Sequence, residues 1–352
     1  MDGFFGPDVK PAPIDLQPVL QRILDIQTED GAIAWFEAGP WDPWNHVECA
    51  MALTTLGEQR AAIKAFDYLA GCQRPDGAWL GEYGNTLPMV DRVFISREPA
   101  PAFLDANFCA YPALGVAHYV TLTGDDARLR SWWPMVERGL NFVLSLQAET
   151  GAISWSFEAL GTDRDEALLA GNASMLKSLE AGLYLAARLD LKRPDWDAAR
   201  ARLLRALQTR PDLFDQRGTG ARFAMDWYYP VLAGVLPREA ARARLAERWE
   251  AFVGENGACK CVIDEPWITV AETAELVIAL VAAGQTERAS ELFDKLCAYR
   301  DASGVFWMGW QTEEQIFWPQ ERPSWTQAAV ILAADALYQT TPASHVLTQK
   351  LI

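Results

Sequence analysis

Twelve helical segments can be read along the chain, and they alternate between two kinds. Apolar residues recur with helical spacing, between Gly, Pro, Asp and Asn punctuation, over 14–27, 44–56, 58–72, 105–122, 125–147, 172–189, 194–210, 222–235, 238–252, 270–284, 286–299 and 323–339. One kind, typified by ECAMALTTLG, FCAYPALGVAHY, YPVLAGVL, AELVIALVAAG and QAAVILAADALY, is apolar nearly all round. A helix with no polar face must be surrounded by protein. The partner segments, such as EQRAAIKAFDYLAGC, DWDAARARLLRAL, REAARARLAERWEAF and QTERASELFDKLC, carry charge on one face only. Buried and amphipathic helices in strict alternation predict an inner ring enclosed by an outer ring. The expected fold is therefore all-α: a single (α/α)6 toroid of about six hairpins around a central cavity. It spans 1–352, with irregular tails at 1–13 and 343–352. Almost no alternating strand pattern is left over.

Several outer segments end in a shared sequence. Lys64-Ala65-Phe66-Asp67-Tyr68-Leu69 leads to Gln73 and then Asp76-Gly77-Ala78-Trp79. Arg138 to Val143 leads to Gln147, Gly151 and Trp155, and Ile23-Leu24 leads to Gln27, Asp30-Gly31 and Trp35. A fainter copy at Gly304 and Trp307 lacks the Gln. Gly permits the left-handed turn that ends a helix, Gln can satisfy orphan backbone groups, and Trp can cover the junction. These positions are expected to be staples rather than catalysts.

The pattern resembles the Q-W repeat of terpenoid cyclases and protein prenyltransferases. Residues 64–79 match it almost completely, and the copies at 138–155 and 20–35 carry two extra residues before the Trp. The resemblance implies an α/α toroid scaffold, often labelled prenyltransferase-like. A shorter stretch, Leu122-Thr123-Gly124-Asp125-Asp126 and its continuation through Trp132-Trp133-Pro134, is similar to the helix-opening segment of six-hairpin glycosidases of the glucoamylase type.

The net charge is −16 and no Lys/Arg cluster offers a local exception, so the chain would repel phosphate backbones and anionic lipid headgroups, and no nucleic-acid partner is expected. The start MDGFFGPDVKPAPIDL has no basic segment followed by an apolar one, and no apolar run is long enough to span a bilayer, so a cytoplasmic location is expected. The six Cys, mostly within apolar stretches, are read as free thiols.

In a toroid, functional residues gather where the inner helices begin. Ahead of the first inner helix stand Trp41, Asp42, Trp44, His46 and Glu48; later come Asp105 and Asn107, Asn172, Asp226 with Trp227, Tyr228 and Tyr229, Trp267 with Glu272 and Glu275, and Trp325. Glu48, Glu272 and Glu275 lie inside apolar stretches, where a carboxylate must titrate, be hydrogen-bonded or face a cavity. Asp42, Glu48, Asp226 and Glu272 are the catalytic candidates and the others substrate-binding candidates. For Asp42 and Asp226 ordinary N-capping is an equal explanation, and for any single aromatic ring so is core packing.

The motifs of the resembling families narrow the choice. The acid motif Asp-x-Asp-Asp of class II terpene cyclases has no copy; the nearest run, Asp163-Arg164-Asp165-Glu166, reads more simply as a charged loop. Cys259-Lys260-Cys261 with Asp264 lacks the spacing and partner His of a zinc site. Asp125-Asp126 reads as a helix cap rather than a magnesium motif. No metal and no cofactor is expected. Three functions then share the scaffold. In the first, a carboxylic acid protonates an isoprenoid while Trp and Tyr faces shield the cation; it leads because its resemblance covers more of the chain. In the second, two carboxylates cleave or rearrange a carbohydrate bound on Trp rings. In the third, a small molecule is bound without chemistry, by acids paired with Arg.

Overall fold

The computed structural model describes residues 14–84, 103–158, 166–216 and 222–352. In chain order its helices are α1 (Gln17–Ile26), α2 (Pro43–Thr55), α3 (Gln59–Gly71), α4 (Ala106–Ala110), α5 (Pro112–Thr123), α6 (Asp126–Ser145) and α7 (Leu169–Arg188). There follow α8 (Pro194–Thr209), α9 (Ala224–Leu232), α10 (Arg238–Glu247), α11 (Trp249–Phe252), α12 (Val270–Ala282), α13 (Thr286–Leu296) and α14 (Ser324–Tyr338). The inner helices close a ring: α2 packs on α5, α5 on α7, α7 on α9, α9 on α12, α12 on α14, and α14 back on α2. Each outer helix α3, α6, α8, α10 and α13 covers the inner helix before it, and α1 covers α14, so the chain's first helix completes its last hairpin. The alternation of all-apolar and one-sided segments thus has the architecture expected of it.

The departures are local. The segment expected as one helix over 105–122 is broken at Tyr111, because Pro112 has no N–H to continue the ladder and opens α5 at its first position. The segment over 238–252 divides at Arg248 into α10 and α11. Two small antiparallel sheets had no counterpart in the sequence reading. One pairs β1 (Phe103–Asp105) with β2 (Ser156–Glu158), and the other orders β3 (Trp267–Thr269), β4 (Gly309–Gln311) and β5 (Ile316–Phe317). Strands this short show no usable alternation. Both sheets stand where inner helices begin, since β1 leads into α4 and β3 into α12.

The repeated Gln positions are staples of a specific kind. Gln27 Nε2 donates to Gly31 O and Ala61 O at 3.4 and 3.0 Å, Gln73 to Gly77 O and Met135 O at 2.9 and 3.0 Å, and Gln147 to Gly151 O and Ala199 O at 3.0 and 2.9 Å. One amide therefore holds its own turn and the body of the next outer helix. Gly77, at φ 91°, lies so close to that helix that an added Cβ would stand 2.4 Å from Arg138 O. Trp79 is buried and donates to Leu69 O at 2.9 Å, as a junction cover should. Trp35 differs, giving its N–H to Asp42, and Trp307 is only half-buried.

The 343–352 segment forms no regular helix, yet it is packed against the ring. Val346 and Leu347 join the core, Lys177 donates to Gln349 O, and Leu351 N donates to Glu180 Oε1 at 2.8 Å. The other expected tail, 1–13, lies outside the described residues. Among the described residues no helix is long and apolar enough to cross a membrane.

Candidate active site

Three of the singled-out acids meet inside the ring. Glu48 projects from the second turn of α2, Glu272 from the first turn of α12, and Glu275 one turn further on. Their charges interact: Glu272 raises Glu48, and Glu48 and Glu272 both raise Glu275. Among the described residues no Lys or Arg forms an ion pair with any of the three.

Their hydrogen bonds differ, and with them what each can do. Glu48 Oε1 accepts from Trp44 Nε1 at 2.8 Å and from the Tyr111 hydroxyl at 3.1 Å; no described residue donates to Oε2. Burial, opposed by those two donors and reinforced by the charges of Asp42 and Glu272, pushes the Glu48 carboxyl up to about 7. Both Glu275 oxygens are held, Oε1 by the Tyr229 hydroxyl at 2.9 Å and Oε2 by that of Tyr228. Burial first and the Glu48 charge second keep Glu275 well above the usual carboxylate range. Glu272 Oε2 is buried without a hydrogen-bond partner among the described residues, and the Cys261 thiol lies beside the carboxylate. Aromatic rings wall the cluster: Trp44 lies 5.1 Å from Tyr111, 5.7 Å from Tyr229 and 5.9 Å from Phe108, centroid to centroid.

The remaining candidates are arranged around this centre with other tasks. Asp42 is the N-cap of α2. Its Oδ1 accepts from Asn45 N at 2.9 Å and its Oδ2 from Trp35 Nε1 and Asn45 Nδ2 at 2.7 and 2.6 Å, so both oxygens are engaged, and burial raises it to about 6. Asp105 caps α4 through Phe108 N at 3.1 Å, and burial raises it to about 7. Asp226 accepts from Ala170 N at 3.2 Å at the start of α7, and burial, with the charge of Asp215, raises it to about 7. These three aspartates explain themselves as caps and anchors.

His46 is buried and anchors the first turn. Its Nδ1 accepts from Ile33 N at 3.2 Å while Nε2 stands 2.9 Å from Ala65 O, so the ring is neutral with the proton on Nε2, and burial lowers it to about 4. Trp41 is buried and stacks on Tyr83 at 4.3 Å. Asn172 is spent on Ile153 N and O, both at 2.9 Å. Trp227 stacks on Phe252 at 5.2 Å and donates to Arg244 O, and so belongs to the outer junction rather than to the cavity. Trp267 lies on β3 and Trp325 in the first turn of α14, both half-buried. Asn107, in the first turn of α4, is buried with neither amide atom hydrogen-bonded to a described residue.

Tyr111 was absent from the sequence candidates, although the sequence holds a signal for it. Tyr111-Pro112 and Tyr229-Pro230 are the same dipeptide on two inner helices, and both tyrosines reach the acid cluster. Of the motif residues tested against known families, Asp163, Arg164 and Asp165 lie outside the described residues. Asp125 caps α6 by accepting from Arg128 N at 3.0 Å, and Asp264 faces Arg222 at 2.8 Å. Among the described residues no three His, Cys, Asp or Glu side chains are grouped to hold a metal ion.

No family model matches the chain. It is similar along nearly its full length to the MMP endo-(1,4)-3-O-methyl-alpha-D-mannosidase of Mycolicibacterium hassiacum, with 42% identity over 334 residues covering 95% of this chain and 89% of that one. Its fold is similar to that of a glycosidase variant solved in complex with glucose, with a TM-score of 0.66 and 14% identity over 93% of this chain and 96% of that one. A GH63 mannosylglycerate hydrolase from Thermus thermophilus gives a TM-score of 0.66 and 14% identity over 90% and 99%. The scaffold is thus that of six-hairpin glycosidases. The terpenoid-cyclase reading, placed first on the strength of its Q-W repeats, finds no support in these similarities, because the repeats build hairpin junctions that an (α/α)6 glycosidase also needs.

Proposed function

The chain belongs to the glycoside hydrolase family of the Mycolicibacterium hassiacum mannosidase, and on that premise we propose that it hydrolyses an internal α-1,4 bond in a chain of 3-O-methylated mannose, with Glu48 as general acid and Glu272 as general base. The observation that carries this reading is the meeting of Glu48, Glu272 and Glu275 without a partner cation among the described residues. Neighbouring carboxylates that lack a counter-ion cannot all ionise, so the cluster keeps at least one proton near neutral pH. One protonated and one ionised carboxyl is the pair that glycoside hydrolysis requires.

Glu48 suits the acid. Its carboxyl stays protonated up to about pH 7, and Trp44 and Tyr111 fix one oxygen so that the other presents the proton. Glu272 suits the base, because its Oε2 has no donor among the described residues to compete with a water. In the step proposed, Glu48 gives its proton to the glycosidic oxygen as the bond from that oxygen to the anomeric carbon breaks. A water oxygen bonds to the anomeric carbon and passes a proton to Glu272. Glu275, locked by Tyr228 and Tyr229 and held well above the usual carboxylate range by burial and by the Glu48 charge, serves as a neutral acid that positions the site rather than as a proton donor. A binding protein without chemistry would be expected to pair these acids with Arg, and no described Arg does so.

The test is reducing-sugar release from α-1,4-linked 3-O-methylmannose oligosaccharides by Glu48→Gln and Glu272→Gln. Each variant should fold cooperatively, melting close to wild type at about pH 5 where the Glu48 proton is in place, and lose about 10³-fold in kcat, within the range for removal of a general acid or base. Wild-type turnover in both would overturn the assignment.

A further inference from the structure

The sheet at the start of α12 carries an aromatic surface that neither the core nor the acid cluster uses. Trp307, Trp310 and Phe317 are all half-buried, and none of them packs into the main hydrophobic core. Strand register puts Trp310 directly opposite Phe317 across β4 and β5, with ring centroids 4.9 Å apart and planes at 71°. Trp307 stacks on Phe317 at 5.3 Å and 18°. The three rings thus form one aromatic cluster, with the Arg322 guanidinium 5.0 Å over the Trp307 centroid and Ile316, paired with Gln311, on the other face of the hairpin.

Two further features separate this surface from ordinary packing. Four of the tryptophans that hold the fold spend their indole N–H on an internal acceptor, Trp79 on Leu69 O, Trp132 on Asp67, Trp196 on Asn141 and Trp227 on Arg244 O, whereas core Trp133 has no acceptor among the described residues. The N–H groups of Trp307 and Trp310 have no acceptor among the described residues and are not buried. The hairpin is also fixed in place. Val270 N donates to Met308 O at 3.0 Å, Met308 N to Glu321 O at 2.9 Å, and Gly309 lies against β3 so closely that an added Cβ would stand 2.5 Å from Ile268 O. The surface is tied to the first residue of α12, two residues ahead of Glu272, and to the segment that leads into α14.

A partly exposed aromatic ring with an unspent N–H donor, tied to the start of the helix that carries Glu272, is the chemistry that binds sugar rings, whose C–H faces stack on the π-cloud while their hydroxyls accept from the indole. We propose that Trp310, backed by Phe317 and by Trp307 under Arg322, forms a distal subsite that holds sugar units of the substrate chain beyond the bond being cleaved. The inference rests on the carbohydrate reading above and assigns residues that it does not use. It makes the enzyme selective for long chains, because only a chain that spans from the acid cluster to the hairpin gains the added contacts.

The test compares kcat/KM on short and long 3-O-methylmannose oligosaccharides for wild type and Trp310→Ala. The variant should lose about tenfold on the long substrate, the worth of one aromatic contact, and nothing on the short one. Equal loss on both, or loss on neither, would overturn the subsite. Trp310→Phe keeps a ring and should recover most of the long-chain rate, which guards against a hairpin that fails to fold without an aromatic. If wild type cleaves neither substrate the hydrolase reading fails instead, and tryptophan fluorescence decides the subsite independently: the long oligosaccharide should quench wild type more than Trp310→Ala, and equal quenching would overturn it. A concentration-dependent dimer in sedimentation that Trp310→Ala abolishes, with no effect of oligosaccharide, would assign the surface to a second copy of the chain and also overturn it.

Discussion

The Tyr111 hydroxyl donates to Glu48 Oε1 at 3.1 Å, joining two inner helices through residues 63 positions apart. That same oxygen is taken by Trp44 Nε1, one helical turn before Glu48 on its own helix. Two donors on one oxygen leave the other as the only place for the proton, and they also limit how far burial raises the carboxyl. Tyr229 likewise joins two inner helices by donating to Glu275 Oε1 at 2.9 Å, but there Tyr228 takes the second oxygen. A Tyr-Pro step on each of two helices therefore orders two acids, since the proline breaks the helix or its ladder beside a tyrosine that turns inward.

Removing one of these donors should move the pH profile in a definite direction. The Tyr111 hydrogen bond favours ionised Glu48, so its loss raises the Glu48 carboxyl further above about 7. With Glu48 as general acid, the alkaline limb of kcat/KM lies near pH 7 in the wild type and shifts upward in Tyr111→Phe. The rate at the optimum should fall about tenfold, the worth of one hydrogen bond to a positioned group. A pH–rate series on both proteins checks this, and an alkaline limb that stays put or moves to lower pH would contradict the role of Glu48.

Stability should fall as pH rises through neutrality. Burial raises Asp42 to about 6 and Glu48, Asp105 and Asp226 to about 7 in the folded chain. A carboxyl with a raised folded pKa binds a proton that the unfolded chain has already released. Its contribution is complete below the ordinary value, 4.5 for Glu48, and is lost as pH climbs through about 7. The melting temperature should therefore be higher at about pH 5 than at about pH 8. Glu48→Gln, which cannot ionise, should recover on the order of 3 kcal/mol of the loss at the higher pH. Calorimetry at the two pH values decides it; a wild type more stable at the higher pH would refute the argument.

The ring was legible in the sequence because burial writes itself into composition. Helices such as α12 and α14 are apolar on every side, whereas α13 carries Glu287, Arg288, Glu291 and Lys295 on the face it turns outward. The Gln staples were legible too, but they misdirected the functional reading. Gln27, Gln73 and Gln147 bind turn and outer-helix carbonyls, so what they share with terpenoid cyclases is a way of joining hairpins. The choice among acids was not legible. Asp42 and Glu48 look equally reactive in Trp41-Asp42-Pro43-Trp44-Asn45-His46-Val47-Glu48, and only the donors Trp35 and Asn45, closing on both Asp42 oxygens, separate a cap from an available acid. Strands of two or three residues, such as β4 and β5, hold too few positions for any period to emerge.

The staple turns can be tested with a matched pair of glycines. Gly57 and Gly77 both have positive φ, 85° and 91°, but a Cβ at Gly57 would meet nothing within 4 Å, whereas one at Gly77 would meet Arg138 O at 2.4 Å. Gly57→Ala should cost about 1 kcal/mol, the backbone strain alone. Gly77→Ala must in addition push α6 away from the turn and break the Gln73 bonds to Gly77 O and Met135 O, for a total of about 3 kcal/mol or more. Urea denaturation of the two variants measures the difference directly. Equal losses would mean that the close approach of turn and helix does not hold the hairpins together.

Asn107 offers the sharpest separation of stability from function. It is 3% exposed, and neither its Nδ2 nor its Oδ1 is hydrogen-bonded to a described residue. A buried amide in that condition costs about 1–3 kcal/mol. Its position in the first turn of α4, two residues after Asp105 and one turn before Tyr111, suits the amide to the substrate-binding role expected of it, as donor and acceptor for a sugar hydroxyl. Asn107→Leu removes the unsatisfied atoms while keeping the side chain's approximate size, so the melting temperature of the free protein should rise. The same change leaves a bound hydroxyl without its partner, and kcat/KM should fall about tenfold to a hundredfold. Thermal unfolding and steady-state kinetics on one preparation test both halves. A variant that melts lower and turns over normally would mean that Asn107 is a structural group whose partner lies elsewhere.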